Sequence, residues 1–251
     1  MFVPLRLHSV YSRGKGSVTL EEAAGWAAAK RLPAAALADT GNIYGWGKWK
    51  RVAPAGGFKP LFGCELEVGG RRFVFLVRTR EGYPSLMEIF NRREIRDTAG
   101  LVVIYVPDGG EAGAKAKDGD TKGDTYPGSV SPSGSPAGSG AAGRASEAAM
   151  LGELRGKVAP GDLYIGADFG NFGRILGTCT PGTCPQESIS AKLEHVPDSP
   201  FAGLPVVWAN PVKYLTSPER LVLVHAIERK IPYPPERDRL LAKIGIFGPD
   251  Q

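Results

Sequence analysis

Long apolar runs are missing from this chain. No stretch of about 18 apolar residues occurs, the length a membrane-spanning helix needs, and the start, MFVPLRLHSV, lacks the apolar core of a signal peptide. Cysteine is scarce as well. Cys64, Cys179 and Cys184 are too few, too scattered and odd in number for a disulfide framework, which points to reduced thiols. Nor does charge of one sign dominate: 31 basic against 26 acidic residues leave +5, an excess that permits contact with nucleic acid without demonstrating it. A soluble cytoplasmic protein is the expectation. What the chain does have is apolar material, 42% of 251 residues, enough for a sizeable core in one large α/β domain or two small ones.

Short apolar runs alternate with helical patterns. Strands are expected at 2–7, 34–39, 60–68, 71–78, 100–106, 162–168 and 204–210. Helices are expected at 19–31, where Thr19 and Glu22 have capping-box spacing, near 45–54, and at 83–95, 146–157 and 218–231. Ser217 as cap and Pro218 in the first turn mark the start of the last one. β-Rich runs separated by helices favour a mostly parallel sheet, open or closed into a barrel.

Residues 108–146 break the pattern, being dense in Gly, Ser, Pro, Asp and Lys and nearly devoid of large apolar side chains. Such a composition does not offset the entropy of ordering, so the segment reads as a disordered insertion within a single domain spanning 1–240. Asp118, Asp120 and Gly123 only superficially suggest a calcium loop, since Lys122 stands at the fifth position and no glutamate closes it. Cys179 and Cys184 have no second ligand pair nearby, and His195 and His225 fall in helical stretches without catalytic partners. Trp26, Trp46, Trp49 and Trp208 read as packing residues, with Trp46 and Trp49 also spaced to form a partner surface.

Metal-dependent phosphoester chemistry needs His and carboxylate ligands converging at neighbouring strand ends. His8, Asp39 and Glu65 stand at or near such ends, where α/β folds place their sites. Singly, each is more simply a capping or surface polar residue. Ser9, Tyr11 and Ser12, close to Arg6, Arg13 and Lys15, make a candidate phosphate contact, against the alternative of an ordinary polar loop. The run Arg13-Gly14-Lys15-Gly16-Ser17 lacks Walker spacing.

The order of motifs is familiar. FVPLRLHSVYS, LPAAALADTGNIYG, GFKPLFGCELEV, FVFLVRTREGYPSL and LPVVWANPVKYLT resemble successive segments of the PHP (polymerase and histidinol phosphatase) domain, in the version that opens bacterial DNA polymerase III alpha subunits. The resemblance implies a distorted (β/α)7 barrel with a metal cluster at the carboxyl ends of its strands. It also implies departures from that cluster. Arg6-Leu7-His8 stands where the family has His-x-His, Asp39-Thr40 where it has Asp-His, Arg72 in place of a histidine, and Pro211-Val212-Lys213 in place of Asp-x-His, while Glu65 is retained. Arg6, Arg72 and Lys213 are therefore expected to pair with Asp39 and Glu65 in an ion-pair cluster that fills the old metal cavity, with no cofactor. The expected role is a non-catalytic scaffold in DNA replication or repair, with DNA polymerase or other replication and repair proteins as partners, DNA as a further candidate and no membrane. A divergent phosphoesterase or 3'-5' exonuclease using zinc, manganese or magnesium is the alternative, as is a fragment of a longer polymerase. The resemblance stops where a palm domain would begin, so polymerisation is not expected.

Overall fold

A computed structural model describes residues 2–12, 15–108, 141–168, 175 and 200–215. Helix α1, Leu20–Ala29, starts at the expected capping box: the Glu22 amide donates to the Thr19 hydroxyl at 3.3 Å and the Thr19 amide to the Glu22 carboxylate at 2.9 Å. Its buried residues, Leu20, Ala23, Ala24 and Ala27, follow helical spacing along one face. The helix ends in a Schellman turn, with Leu32 N–H donating to Ala27 C=O at 3.0 Å and Arg31, at φ 51°, donating to Ala28 C=O at 2.9 Å.

Strand β1 is Ala34–Thr40, and α2 is Trp46–Val52, followed by a 3-10 turn at Pro54–Gly56. Then come β2 (Lys59–Val68), β3 (Arg71–Val77), α3 (Gly82–Arg92), β4 (Leu101–Val106), α4 (Ala141–Lys157), β5 (Leu163–Ala167) and β6 (Val206–Trp208). The six strands hydrogen-bond in chain order. The pairs β1–β2, β4–β5 and β5–β6 are parallel, whereas β3 runs antiparallel to both neighbours. Gly69 and Gly70 cause that reversal. Both have positive φ, 58° and 70°, the pairing a two-residue hairpin of matching twist requires and one that side chains resist.

The amino-terminal segment curls the sheet towards closure. Leu7 makes parallel bridges to Leu37 of β1 on one side and to Val212 beyond β6 on the other. Backbone bonds flank both bridges: Leu7 N–H to Ala36 C=O at 3.1 Å, His8 N–H to Val212 C=O at 2.9 Å and Val212 N–H to Arg6 C=O at 2.9 Å. This is the distorted barrel that the resemblance implied, with the expected first strand reduced to short bridges.

Alternation sorts the side chains. Ala36, Ala38, Val74, Leu76, Ile104, Val106 and Ala209 fill the interior of the ring. On the outside, Leu7, Leu37, Trp49 and Phe58 pack with α1, and Phe73, Phe75, Leu86, Ile89 and Leu154 form the larger core under α3 and α4. Trp46 and Trp49 are packing residues. Trp49 is fully buried, and Trp46 lies against Phe62 and Tyr83 with ring centroids 5.5 and 6.1 Å away. Helix α4 begins at Ala141 rather than at 146, so the end of the segment read as an insertion is helical. A buried carboxylate docks it. Tyr105 donates its hydroxyl to Glu147, and Arg71 donates to the Tyr105 oxygen at 3.3 Å and to Ser146 at 3.0 Å. Residues 109–140, the expected helix 218–231 with Ser217 and Pro218, and Cys179, Cys184, His195 and His225 lie outside the described residues.

A ring this narrow needs small interior residues. A Cβ on Gly63 would lie 2.5 Å from both the Leu76 side chain and the Phe75 carbonyl oxygen. Gly63→Ala is expected to destabilise the fold by about 1–3 kcal/mol through overpacking, read from the urea midpoint; an unchanged midpoint would show slack in the ring.

Candidate functional site

Local structure aims several side chains at the carboxyl end of the ring. Leu7 faces the outer core, so its neighbours Arg6 and His8 point inward, and both are buried, 2% and 1% exposed. Thr40 ends β1 opposite Glu65 of β2, and Asp168 follows the last residue of β5. Lys213 follows the Val212 bridge.

Arg6 organises what results. Its guanidinium Nε donates to Glu65 Oε2, one terminal nitrogen reaches Asp168 Oδ2 at 3.3 Å, and the same nitrogen lies 3.4 Å from the Ala209 carbonyl oxygen. His8 Nε2 sits 3.2 Å from Glu65 Oε2, near enough for attraction but not aligned as a hydrogen bond, and neither ring nitrogen has a hydrogen-bond partner. Burial pushes the His8 imidazole below its usual value, against the pull of Glu65, so it is neutral at pH 7. Burial alone would raise Glu65. The contacts from His8, and then those from Arg6, outweigh it and hold this carboxyl well below the usual range.

The other expected members are placed differently. Asp39 shares the face of β1 that carries Leu37, and its carboxylate is taken by the amino-terminal loop: it accepts from Ser9 N–H at 2.7 Å, Ser9 Oγ at 2.9 Å and Ser12 Oγ at 2.7 Å. Burial nevertheless pushes the Asp39 carboxyl up. This corrects two expectations. Asp39 belongs to a loop clamp rather than to the cationic cluster, and Ser9 and Ser12, 0% and 1% exposed, are committed to Asp39 instead of facing a phosphate. Ser12 Oγ also accepts from the Thr40 amide at 3.0 Å, and Thr40 Oγ1 approaches Glu65 at 3.4 Å.

The three cations are held differently. Arg72 pairs with Asp108 at 3.1 Å, the two side chains 40% and 56% exposed, at the start of β3. Lys213 is half-buried and pairs with no described residue. Burial first, and the charge of Arg6 second, push its ammonium below the usual value. Pro211 precedes the bridge at Val212. Among the described residues no three His, Cys, Asp or Glu side chains are grouped to hold a metal ion.

Asp168 was not anticipated. Its one signal is position, a carboxylate just past a strand end on the rim where Arg6 needs an anion. Cys64 secures the opposite side of β2, its thiol donating to Asp39 C=O at 3.3 Å or Asn42 C=O at 3.4 Å.

The geometry is that of a barrel with polar side chains gathered at its carboxyl rim, and the model of the PHP domain family matches residues 4–106. The same sheet continues beyond the match through β5 and β6. Among curated proteins, the DNA polymerase III subunit alpha of Caulobacter vibrioides is 30% identical over 100 residues, covering 35% of this chain and 9% of that protein. The error-prone DNA polymerase of Symbiobacterium thermophilum is 32% identical over 111 residues, covering 42% of this chain and 10% of that protein. The matched stretch thus spans about a tenth of the length of these relatives. An amidohydrolase structure from Chromobacterium violaceum has a TM-score of 0.31 at 27% identity, covering 36% of this chain and 32% of that one.

Two outcomes are expected. Arg6→Met leaves Glu65 buried without its cation and destabilises by about 3–5 kcal/mol; in a double-mutant cycle, Arg6→Met/Glu65→Gln recovers more than half of that loss. Equal losses in the single and double variants would place the stabilisation elsewhere. Burial pushes the Cys64 thiol up to about 12, so mass mapping after iodoacetamide treatment at pH 8 finds Cys64 unmodified in the folded chain and modified in urea.

Proposed function

We propose that this protein is a non-catalytic PHP-fold module that serves as a scaffold or interaction partner for DNA replication or repair proteins. The observation that carries this reading is the buried guanidinium of Arg6 held between Glu65 and Asp168 at the rim of the ring. A resident metal centre does not fit these residues. A divalent cation would have to share Glu65 and Asp168 with a fixed positive charge, and Asp39 is already filled by three donors. The observation on the other side is His8, whose two ring nitrogens are buried without hydrogen-bond partners. One imidazole beside a carboxylate already bound to arginine falls short of the three or four protein ligands that zinc takes. Arg6 instead supplies the positive charge that the carboxylates at this rim require. The likeness of the matched region to DNA polymerase subunits supports the replication or repair setting.

Metal analysis of the purified chain after dialysis against zinc, manganese or magnesium tests the reading. It is run beside hydrolysis of bis(p-nitrophenyl) phosphate and of single-stranded DNA. The expected result is metal far below one equivalent and no hydrolysis. Stoichiometric metal, with hydrolysis that His8→Ala abolishes, would replace the scaffold by a phosphoesterase.

A further inference from the structure

The opposite end of the ring carries a different feature. Residues 30–59 hold six basic side chains and a single acidic one, Asp39, which is buried. Lys48 pairs with Glu21 at 2.7 Å. The other five, Lys30, Arg31, Lys50, Arg51 and Lys59, are exposed, and none is in an ion pair with a described residue. Lys30, Arg31 and Lys59 lie at the amino ends of β1 and β2, and α2 packs beside α1. α1 finishes at Lys30 and Arg31, α2 has Lys50 and Arg51 in its last turn, and Lys59 opens β2 opposite Ala34. Lys59 N–H donates to Pro33 C=O at 3.0 Å, and a Cβ on Gly56 would lie 3.2 Å from Ala24 C=O, so the turn after α2 rests on α1.

Cations near helix carboxyl ends offset the helix dipole, which accounts for Lys30, Lys50 and Arg51. It does not account for Lys59 at a strand start, nor for the conformation of Arg31. Arg31 occupies the left-handed position of the Schellman turn, φ 51°, where glycine is the unstrained residue. The other left-handed arginine, Arg93, has a packing reason, its guanidinium lying 5.0 Å from the centre of the Phe90 ring. Arg31 has no ring contact or ion pair with a described residue. A strained backbone position kept by a side chain that contributes only charge to solvent points to a partner for that charge.

We propose that the face formed by Lys30, Arg31, Lys50, Arg51 and Lys59 binds the phosphate backbone of duplex nucleic acid without reading its sequence. A row of cations on fixed helix ends matches a rigid polyanion. Of the exposed tyrosines able to stack unpaired bases, Tyr44 and Tyr214 follow the carboxyl ends of β1 and β6, at the far rim, and Tyr83 lies against Trp46. A membrane surface needs an apolar face beside the cations, and Phe2 by itself does not provide one. The inference is independent of whether the carboxyl rim holds metal.

Fluorescence anisotropy of the full chain with short labelled duplexes of two unrelated sequences tests it. The two affinities are expected to agree and to fall linearly on a log scale with salt. Lys50→Glu/Arg51→Glu weakens binding by about tenfold or more at fixed salt. Arg31→Gly weakens it several-fold without lowering Tm, because glycine relieves the left-handed strain. That last result separates binding from folding. Affinity unchanged in both variants, binding confined to phosphatidylserine vesicles, or a lower Tm in Arg31→Gly with unaltered affinity would overturn the proposal and leave these charges as helix-end complements or a lipid contact.

Discussion

Leu7 bridges β1 on one side and Val212 on the other, and the curled sheet joins through that insertion. Because a strand alternates its side chains, seating Leu7 in the outer core obliges Arg6 and His8 to face inward. Two ionisable groups next to an apolar ring interior then have to be compensated. Glu65 and Asp168 provide the compensation, from β2 and the end of β5, which come within reach of the segment because the ring curls. The loop that follows is held by a second buried set, Asp39 with Ser9 and Ser12. Ring closure and rim chemistry thus share one segment.

Charge balance explains why the rim has the composition it has. An unpaired carboxylate at this depth would be protonated or would attract a cation. A guanidinium on a strand meets the requirement with fixed geometry and several donors, and it is always charged. The same reasoning sends Arg72 outward, where Asp108 meets it near solvent. Lys213 is intermediate, half-buried beside a like charge. At the amino end of the ring the balance is reversed: Lys30, Arg31 and Lys59 are exposed and in no ion pair with a described residue.

Much of the architecture is legible in one dimension. Thr19 and Glu22 announce α1 because a capping box is local, and the apolar runs at 60–68, 71–78 and 100–106 coincide with β2, β3 and β4 to within a residue or so. The reversal of β3 is carried by Gly69-Gly70 between two β runs, a local hairpin signal. The start of α4 was misjudged by five residues because Ala141 to Ala145 continue the small-residue composition of what precedes them, although alanine is a good helix former. Glu147, Tyr105 and Arg71 gave no signal as a group, being far apart in the chain and joined only by docking of α4 on the sheet.

The sequence by itself determined which segments are strands and helices, which side chains alternate, and that cations stand at positions where the resembling family has histidines. Those properties depend on neighbours a few residues away. Only the tertiary structure decided which of these side chains meet. It put Arg6 with Glu65 and Asp168, gave Asp39 to two serines, and sent Arg72 to Asp108. Partnerships of this kind depend on ring curvature and on the order in which strands pair, and both are set by contacts between residues far apart in the chain.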